Sequence, residues 1–462
     1  MTPSGMVMMP GGSSLECWFG KGTRALPLAG AGGGVRPGGM KTIYYALAAL
    51  AVSTLAMGAD ETTGWAEHPV RQSDGHGGWV DVPAVARFIR HPGKGGYTYP
   101  FGLLAMDNGE VLLATSWNNG SSRNDRQAEK PAVAFSRDNG DTWSDFITVS
   151  NAIGRPMMVT DLGKGGIVFQ TDPLGAYLPT EHFSADYGRT WPEWRTLQKA
   201  ANGGTAVGGE GVKGFFGAEG NALVDRDASG RAVRIGQIGW NFAPGSKWPK
   251  AATSGGLLRW STDGGRTWTP EVAPAAWRFS VPYEGKTYVR GVSEGSLVRA
   301  ANGWLVASLR TDMPPRFLSG PNDDNLEGTG YSVSKDDGRT WSPVQTLFEA
   351  GRMHGHLLKL PNGDLLLTLI VRNDIANGGM RRASNRQGCE AVLSHDNGLT
   401  WDLAHKFIVY AYDEPTPDPI KWYYGKSGHL AACVLPDGSV LTVFGDYVRQ
   451  GVAMIRWRPT TP

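Results

Sequence analysis

One eight-residue pattern, Ser-x-Asp-x-Gly-x-Thr-Trp, occurs five times along the chain, and any fold has to accommodate every copy. The copies, called boxes below, are Ser136–Trp143, Ser184–Trp191, Ser261–Trp268, Ser334–Trp341 and Ser394–Trp401. The Asp of a box can accept hydrogen bonds from its own loop, the Gly suits a positive φ, and the Trp can pack between neighbouring units. Recurrence at gaps of roughly 50 to 75 residues predicts an array of similar supersecondary units.

A second pattern, an apolar strand, a tight turn and another apolar strand, also repeats. Clear copies are Phe101–Trp117, Glu294–Arg310, His354–Arg372 and Ser427–Tyr447, and fainter copies are Pro156–Gln170 and Glu219–Gln237. Turns such as DNG, PNG and PDG between apolar runs are strong hairpin signals. Six hairpins, five of them followed by a box, predict an all-β fold: a six-bladed β-propeller with four antiparallel strands per blade. A seven-bladed ring stays open, because the segments around 192–215 and 269–290 have room for further strands.

The beginning of the chain differs from the rest. Residues 1–39 are Gly-rich and without apolar periodicity, so we interpret them as a mis-called start or a disordered extension. Residues 40–59 are typical of a signal peptide: Lys41, an apolar run from Ile43 to Met57, and a cleavage position near Gly58 or Ala59. We expect a linker over 60–78 and the propeller over 79–462, with Trp79–Arg90 closing the last blade. The prediction is a secreted or periplasmic protein without a membrane span after cleavage.

Charge and cysteine content limit the partners. The formal net charge is +2, which gives no basis for binding nucleic acid or an anionic membrane. Only Cys389 and Cys433 fall in the propeller segment, where a disulfide and two buried free thiols are both open interpretations. No motif in the sequence indicates a cofactor or a metal.

Polar side chains occur where we expect one face of the ring. The start of a first strand lies beside the end of the antiparallel second strand, whereas the boxes join the third and fourth strands and fall on the opposite face. The candidates on the first face are Tyr97, Tyr99, Trp117, Glu219, Glu294, Arg310, His354, His356, Arg372 and His429. Two guanidinium groups can hold a carboxylate bidentately, and aromatic faces suit sugar rings. This set predicts a site for an anionic, hydroxylated ligand.

The boxes and the six predicted blades resemble the sialidase superfamily, neuraminidase-like proteins with Asp-box (BNR) repeats, over essentially the whole exported segment. The resemblance implies a site in which three arginines hold the sugar carboxylate, a Tyr activated by a Glu is the nucleophile, and an Asp is the acid/base. Carried over to this chain, Glu294 and Arg310 match the paired Glu and Arg, and Arg372 matches the third arginine. Asp125 matches the acid/base.

Two positions depart from that pattern. The first arginine is replaced by Thr98, between Tyr97 and Tyr99, so Arg90, Arg352 or another basic residue has to substitute for it. The position of the nucleophilic Tyr holds His429, with Tyr423 and Tyr424 a few residues away.

Several functions therefore remain open. The first is an exo-glycosidase that releases a terminal acidic sugar, with Glu294 beside Tyr423 or Tyr424. The second is a lyase for uronic-acid glycans, or another glycosidase, in which His429, His354 or His356 is the general base or acid. The third is a non-catalytic propeller that binds glycans. A metal site built from these histidines with Asp374 or Asp446 is a further alternative, although no established zinc spacing is present.

Overall fold

All six predicted hairpins are present in the computed structural model, which describes residues 64–90, 100–117, 130–172, 179–197, 220–242, 254–318, 324–412, 429–446 and 451–460. These residues lie within one compact unit, Ala59–Pro462. The chain enters through four short strands: β1 (Ala66–Glu67), β2 (Val70–Ser73), β3 (Trp79–Val82) and β4 (Ala84–Arg90). Two of these strands lie within 60–78, so strand structure begins earlier than the predicted linker boundary.

The first three blades follow in chain order. Blade one contains β5 (Gly102–Ala105), β6 (Val111–Trp117), β7 (Lys130–Ser136) and β8 (Ile147–Thr148). Blade two contains β9 (Arg155–Gly163), β10 (Gly166–Asp172), β11 (Thr180–Ser184) and β12 (Glu193–Thr196). Blade three contains β13 (Leu223–Arg226), β14 (Ala232–Phe242) and β15 (Ser254–Ser261), and an isolated bridge from Leu258 to Val272 supplies its outer edge.

A separate hairpin, β16 (Phe279–Tyr283) and β17 (Lys286–Arg290), stands between blades three and four. Blade four contains β18 (Val292–Arg299), β19 (Leu305–Thr311), β20 (Gly328–Ser334) and β21 (Gln345–Phe348). Blade five contains β22 (Arg352–Lys359), β23 (Leu365–Val371), β24 (Gln387–Ser394) and β25 (Phe407–Tyr412). Blade six contains β26 (Leu430–Val434), β27 (Val440–Asp446) and β28 (Gly451–Trp457). The fold is a six-bladed β-propeller, and the strands near 192–196 and 279–290 do not add a seventh blade.

The N-terminal strands close the ring, but not as one continuous strand. β4 pairs with β28 and completes blade six, with β1 outside it, as the predicted closure requires. β3 instead pairs with β2, which extends blade five by pairing with β25. Pro83 separates β3 from β4, and since proline has no N–H to donate to a ladder, the chain leaves one sheet there and enters the next. The segment predicted as one closing strand thus serves two blades.

The boxes form the turns after the third strands with one hydrogen-bond pattern. In the fourth box, Asp336 accepts from the Thr340 backbone N–H at 2.8 Å and from the Thr340 hydroxyl, while the Gly338 N–H donates to the Ser334 hydroxyl at 2.8 Å. The other four boxes repeat these contacts. The glycines all have a positive φ, between +82° and +92°. The turn chemistry expected from the sequence is confirmed.

Each box also packs on the preceding blade. A Cβ at Gly188 would lie 2.7 Å from Leu112 of blade one, and a Cβ at Gly398 would lie 2.5 Å from Val306 of blade four. The indole of Trp191 joins the apolar cluster between blades one and two. Only a residue without a side chain permits this approach at a positive φ. The boxes therefore hold adjacent blades together.

Two further findings concern earlier expectations. Cys389 and Cys433 are both buried free thiols, which decides between the two interpretations of this pair. Among the described residues, no helix has the length and apolar character that crossing a bilayer requires.

Candidate functional site

Four blades direct charged or aromatic side chains to the face where first strands begin and second strands end. Arg155 is the first residue of β9, Glu294 the third of β18, and Arg310 the last but one of β19. Arg372 directly follows β23, and His429 directly precedes β26. The antiparallel hairpins impose this arrangement, because they return each second strand to the face where the first one started.

His354 lies at the middle of this group. Its Nε2 is 2.7 Å from Nη2 of Arg372, and its ring centroid is 4.6 Å from that of His429. On the other side of His429, Nε2 lies 3.4 Å from Nη1 of Arg155, and the ring of Phe101 is 4.4 Å away. Side chains from blades five, six and two therefore form a continuous row of contacts, with the two imidazoles in the middle.

Blade four adds an ion pair beside this chain. Nη1 of Arg310 lies 2.6 Å from Oε2 of Glu294, and Nε of Arg310 contacts the carboxylate of Glu327. The three arginines and Glu294 are deeply buried, from 2 % exposed for Arg155 to 7 % for Glu294, whereas Glu327 and His354 keep partial exposure. We name Arg155, Arg310 and Arg372 with His354 and His429 the arginine centre.

Three positive charges act on one imidazole in the arginine centre. Removal from water lowers the pKa of His354 well below its ordinary value, and the charges of Arg372, Arg310 and Arg155, in that order, lower it further. A protonated imidazole at this position would face three guanidinium groups in a poorly solvated space. His354 is therefore a neutral base surrounded by cations.

Arg155 is a third arginine near His354, and the sequence did not single it out. Arg352, one of the suggested substitutes, is bound elsewhere: its guanidinium lies 2.7 Å from Glu390 and 2.7 Å from Asp374, inside blade five. Of Arg90 only the backbone is described. The sequence signal for Arg155 was its position directly before the faint hairpin pattern Pro156–Gln170. His429 has the equivalent position in blade six, directly before the first strand of its blade.

His356 belongs to the packing between blades. It is buried, its imidazole hydrogen-bonds the backbone of Ala432 in blade six, and burial lowers its pKa to about 4. His354, two residues earlier, has a φ of +53° within a bulge that shifts the register between Met353 and His356. Bulges redirect side chains. His354 therefore lies beside Arg372 and His429, while His356 makes a contact between blades.

Several predicted site residues lie outside the described residues: Tyr97, Tyr99, Asp125, Glu219, Tyr423 and Tyr424. Of Trp117 only the backbone, at the end of β6, is described. These residues keep the status of predictions.

A metal has little support in the described part of the chain. There, no three His, Cys, Asp or Glu side chains come together in a way that could hold an ion. Asp374, considered as a ligand, instead accepts from Arg352, Arg386 and the hydroxyl of Ser384. The three arginines around His354 would also repel a cation.

Comparisons with known proteins add the fold class. No protein-family model and no curated protein matches the chain. Among solved structures, a protein of unknown function from Dyadobacter fermentans is 18% identical, with a TM-score of 0.52, over 81% of this chain and 99% of its own. The Hadza microbial sialidase Hz136 is 17% identical, with a TM-score of 0.53, over 82% of this chain and 70% of its own. At these identities the likeness shows the fold, a sialidase-like β-propeller.

Proposed function

We propose that this protein is a carbohydrate-active enzyme that holds an acidic sugar by its carboxylate at the arginine centre and cleaves the adjoining glycosidic bond. The observation that carries the proposal is the convergence of Arg155, Arg310 and Arg372 on His354. Three buried guanidinium groups from three blades, with partly exposed His354 between them, suit a small carboxylate. The sialidase-like fold supports an exo-glycosidase that releases a terminal acidic sugar.

In this glycosidase, the carboxylate of the sugar takes N–H donors of the arginine centre, and Glu294 orients Arg310 through their 2.6 Å contact. The predicted nucleophile is Tyr423 or Tyr424, and the predicted acid/base is Asp125. A Tyr nucleophile adds no charge repulsion at an anomeric carbon that already bears a carboxylate. The Tyr hydroxyl gives its proton to Glu294, and its oxygen bonds to the anomeric carbon while the bond to the leaving sugar breaks and the acid protonates the leaving oxygen. Water, which gives a proton to the acid/base, then cleaves the bond between Tyr and the sugar, and the proton on Glu294 returns to the Tyr oxygen.

A lyase is the second candidate, and the imidazole pair favours it. Nε2 of His354 lies beside the guanidinium donors of Arg372, and Nε2 of His429 lies beside those of Arg155. An incoming uronate carboxylate competes for those donors and leaves an imidazole lone pair free. That lone pair removes the proton α to the neutralised carboxylate, a C=C bond forms, and the C–O bond to the leaving sugar breaks. The imidazolium then passes that proton to the leaving oxygen, so the elimination consumes no water.

The test is activity on a panel that contains a fluorogenic sialoside and uronic-acid oligosaccharides, with products identified by mass. Hydrolysis adds the mass of one water, whereas elimination adds none and creates an ultraviolet-absorbing unsaturated uronate. Arg155→Met should lower kcat/KM by about tenfold to a hundredfold, because a charged hydrogen bond contributes about 1.5–3 kcal/mol. Arg137→Met is the matched control, since Arg137 is highly exposed and lies in the first box.

Two results would contradict the proposal. Equal binding of an acidic sugar and its neutral analogue would remove the role of the arginine centre. Tight binding of acidic sugars without any turnover would instead indicate the non-catalytic glycan-binding propeller.

We also propose that the protein is exported. The support is the apolar run from Ile43 to Met57 after Lys41, followed by small residues at Gly58 and Ala59. N-terminal sequencing of protein recovered outside the cytoplasm tests this, and a chain that begins at Asp60 or close to it is the expected result.

A further inference from the structure

The hairpin of β16 and β17 encloses a pocket against blade four that the arginine centre does not use. Its volume is about 260 Å³. One wall is apolar and aromatic, with Phe279, Val281 and Tyr283 from β16. Thr311 at the end of β19 and the following Asp312 also line the space. We call this space the hairpin pocket.

Arg290, at the end of β17, lines the hairpin pocket, and two of its guanidinium nitrogens lack a partner among the described residues. The residue is only 4 % exposed, and neither Nε nor Nη2 finds a hydrogen-bond partner among the described residues. A buried guanidinium without partners costs free energy, since desolvation is not compensated by hydrogen bonds. Such a group is expected where a ligand supplies the missing acceptors.

A second arginine of the pocket also has a donor to spare. Arg316 binds Glu349 through Nη1 at 2.8 Å and the carbonyl of Gly379 through Nε at 3.0 Å. Its remaining nitrogen, Nη2, is buried without a partner among the described residues. Both guanidinium groups that line the hairpin pocket thus have buried N–H donors without a partner among the described residues.

The acidic groups near Arg290 are already engaged. Asp312 accepts from the backbone N–H of Gly291 at 2.7 Å and from that of Ser254. Glu327 contacts Nε of Arg310. Burial lowers the pKa of Arg290, and the nearby charges of Asp312 and Glu327 raise it only in part. The two carboxylates therefore moderate the positive charge of the pocket without occupying its donors.

The hairpin pocket adjoins the arginine centre. Arg290 lies four residues before Glu294 in the chain, and Thr311 directly follows Arg310. The charge of Glu327 acts on Arg290 while its carboxylate touches Arg310. A ligand with one acidic group at the arginine centre can therefore extend a neighbouring sugar toward Arg290.

We propose that the hairpin pocket is a second anion subsite, which takes the carboxylate or sulfate of the sugar next to the one held at the arginine centre. The proposal rests on the proposed function for the first sugar and assigns the substrate class: an acidic glycan with negative groups on adjacent residues. Tyr283 and Phe279 offer aromatic contact to the second ring, and Arg290 and Arg316 bind its anionic group.

Calorimetric binding of matched ligands tests the substrate class. One pair is galacturonic acid and digalacturonic acid, and a second is an unsulfated and a sulfated chondroitin disaccharide. The wild type should prefer the member with the additional anionic group in at least one pair, and which pair responds separates a carboxylate from a sulfate. Arg290→Met should abolish that preference, a loss of about tenfold to a hundredfold, and leave the affinity for the smaller acid unchanged.

Arg278→Met is the matched control, because Arg278 is exposed at the start of the same hairpin. It should retain the wild-type preference. No preference in the wild type, or equal weakening of both ligands by Arg290→Met, overturns the proposal.

Crystals soaked in selenate test the subsite even if no acidic sugar binds and the proposed function fails. Selenate carries the tetrahedral anion chemistry and an anomalous signal. A peak within hydrogen-bonding distance of Arg290 in the wild type, absent from Arg290→Met crystals, supports the subsite. A wild-type hairpin pocket without anomalous density at saturating selenate overturns it. Density only at the arginine centre supports the proposed function alone.

Discussion

Arg372 donates from Nη2 to Nε2 of His354 across 2.7 Å. A guanidinium has no acceptor, so Nε2 holds a lone pair and His354 carries its proton on Nδ1. The same reasoning applies to Arg155 and Nε2 of His429 at 3.4 Å. Two arginines thus define the tautomers of two adjacent imidazoles before any ligand arrives.

We expect His354 to stay neutral far below pH 6.5, because burial and three positive charges lower its pKa. Any activity that needs this neutral base should persist over the same acidic range. Arg372→Met removes one of the charges and should raise the pKa of His354 toward its ordinary value. Imidazole nitrogen chemical shifts followed by NMR during an acid titration measure both effects. A wild-type midpoint near 6.5 would contradict this prediction.

Stability should decrease in mild acid because of His182 and His356, whose pKa values burial lowers to about 4. The unfolded chain takes up protons on these imidazoles below pH 6.5, while the folded chain does not until about pH 4. The two neutral imidazoles contribute fully to the free energy of unfolding above pH 6.5. This contribution is lost as the pH falls toward 4, by up to about 1.4 kcal/mol per pH unit for each imidazole.

Urea unfolding at several pH values between 7 and 4 measures this loss. His356→Gln retains a donor for the Ala432 carbonyl and should make the free energy of unfolding less dependent on pH by one imidazole's share. An unchanged dependence in the variant would show that His356 titrates alike in the folded and unfolded chain.

The contact of each box with the preceding blade should be visible in paired glycine substitutions. Gly398 and Gly303 both have a φ of +88°. A Cβ added at Gly398 would lie 2.5 Å from Val306, whereas a Cβ added at Gly303 would meet nothing within 4 Å. Gly303→Ala should cost about 1–2 kcal/mol from the backbone alone. Gly398→Ala should cost about 1–3 kcal/mol more from overpacking. Equal losses in urea unfolding would refute a role of the box in joining blades.

Two buried arginines should respond oppositely to replacement by methionine. Arg290 lacks partners at Nε and Nη2 among the described residues, so Arg290→Met should leave stability unchanged or increase it. Arg352 is bound to Glu390 and Asp374, so Arg352→Met strands buried carboxylates and should cost about 3–5 kcal/mol. Thermal unfolding of both variants is the measurement. A large destabilisation by Arg290→Met would mean that the fold, and not a ligand, requires this charge.

The blade count was predictable because its signals are local. The Asp336 carboxylate is bound by Thr340, four residues away, and the turn glycine Gly338 lies between them. Chemistry contained within eight residues can be read without knowledge of the rest of the chain. The same holds for the DNG, PNG and PDG turns of the hairpins.

The arginine centre was predictable only in part, because its members come from different blades and are brought together only when the propeller closes. Arg310 and Arg372 follow clear hairpins and were found, whereas Arg155 stands before a faint hairpin and comes from blade two. The different environments of His354 and His356 depend on a bulge, which alternation of side chains along a regular strand does not predict. The change of sheet at Pro83, between β3 and β4, was likewise not predicted, because the sequence around it was interpreted as a single strand.

The pairing of β2 and β4 with strands of blades five and six also determines when the arginine centre can assemble during synthesis. During synthesis Gln72 emerges early, but Thr460, with which it exchanges two hydrogen bonds, follows 388 residues later. His354 and His429 belong to the two blades that these late contacts stabilise, blades five and six. A ribosome therefore has to synthesise the chain as far as Thr460 before these contacts can hold the two imidazoles side by side.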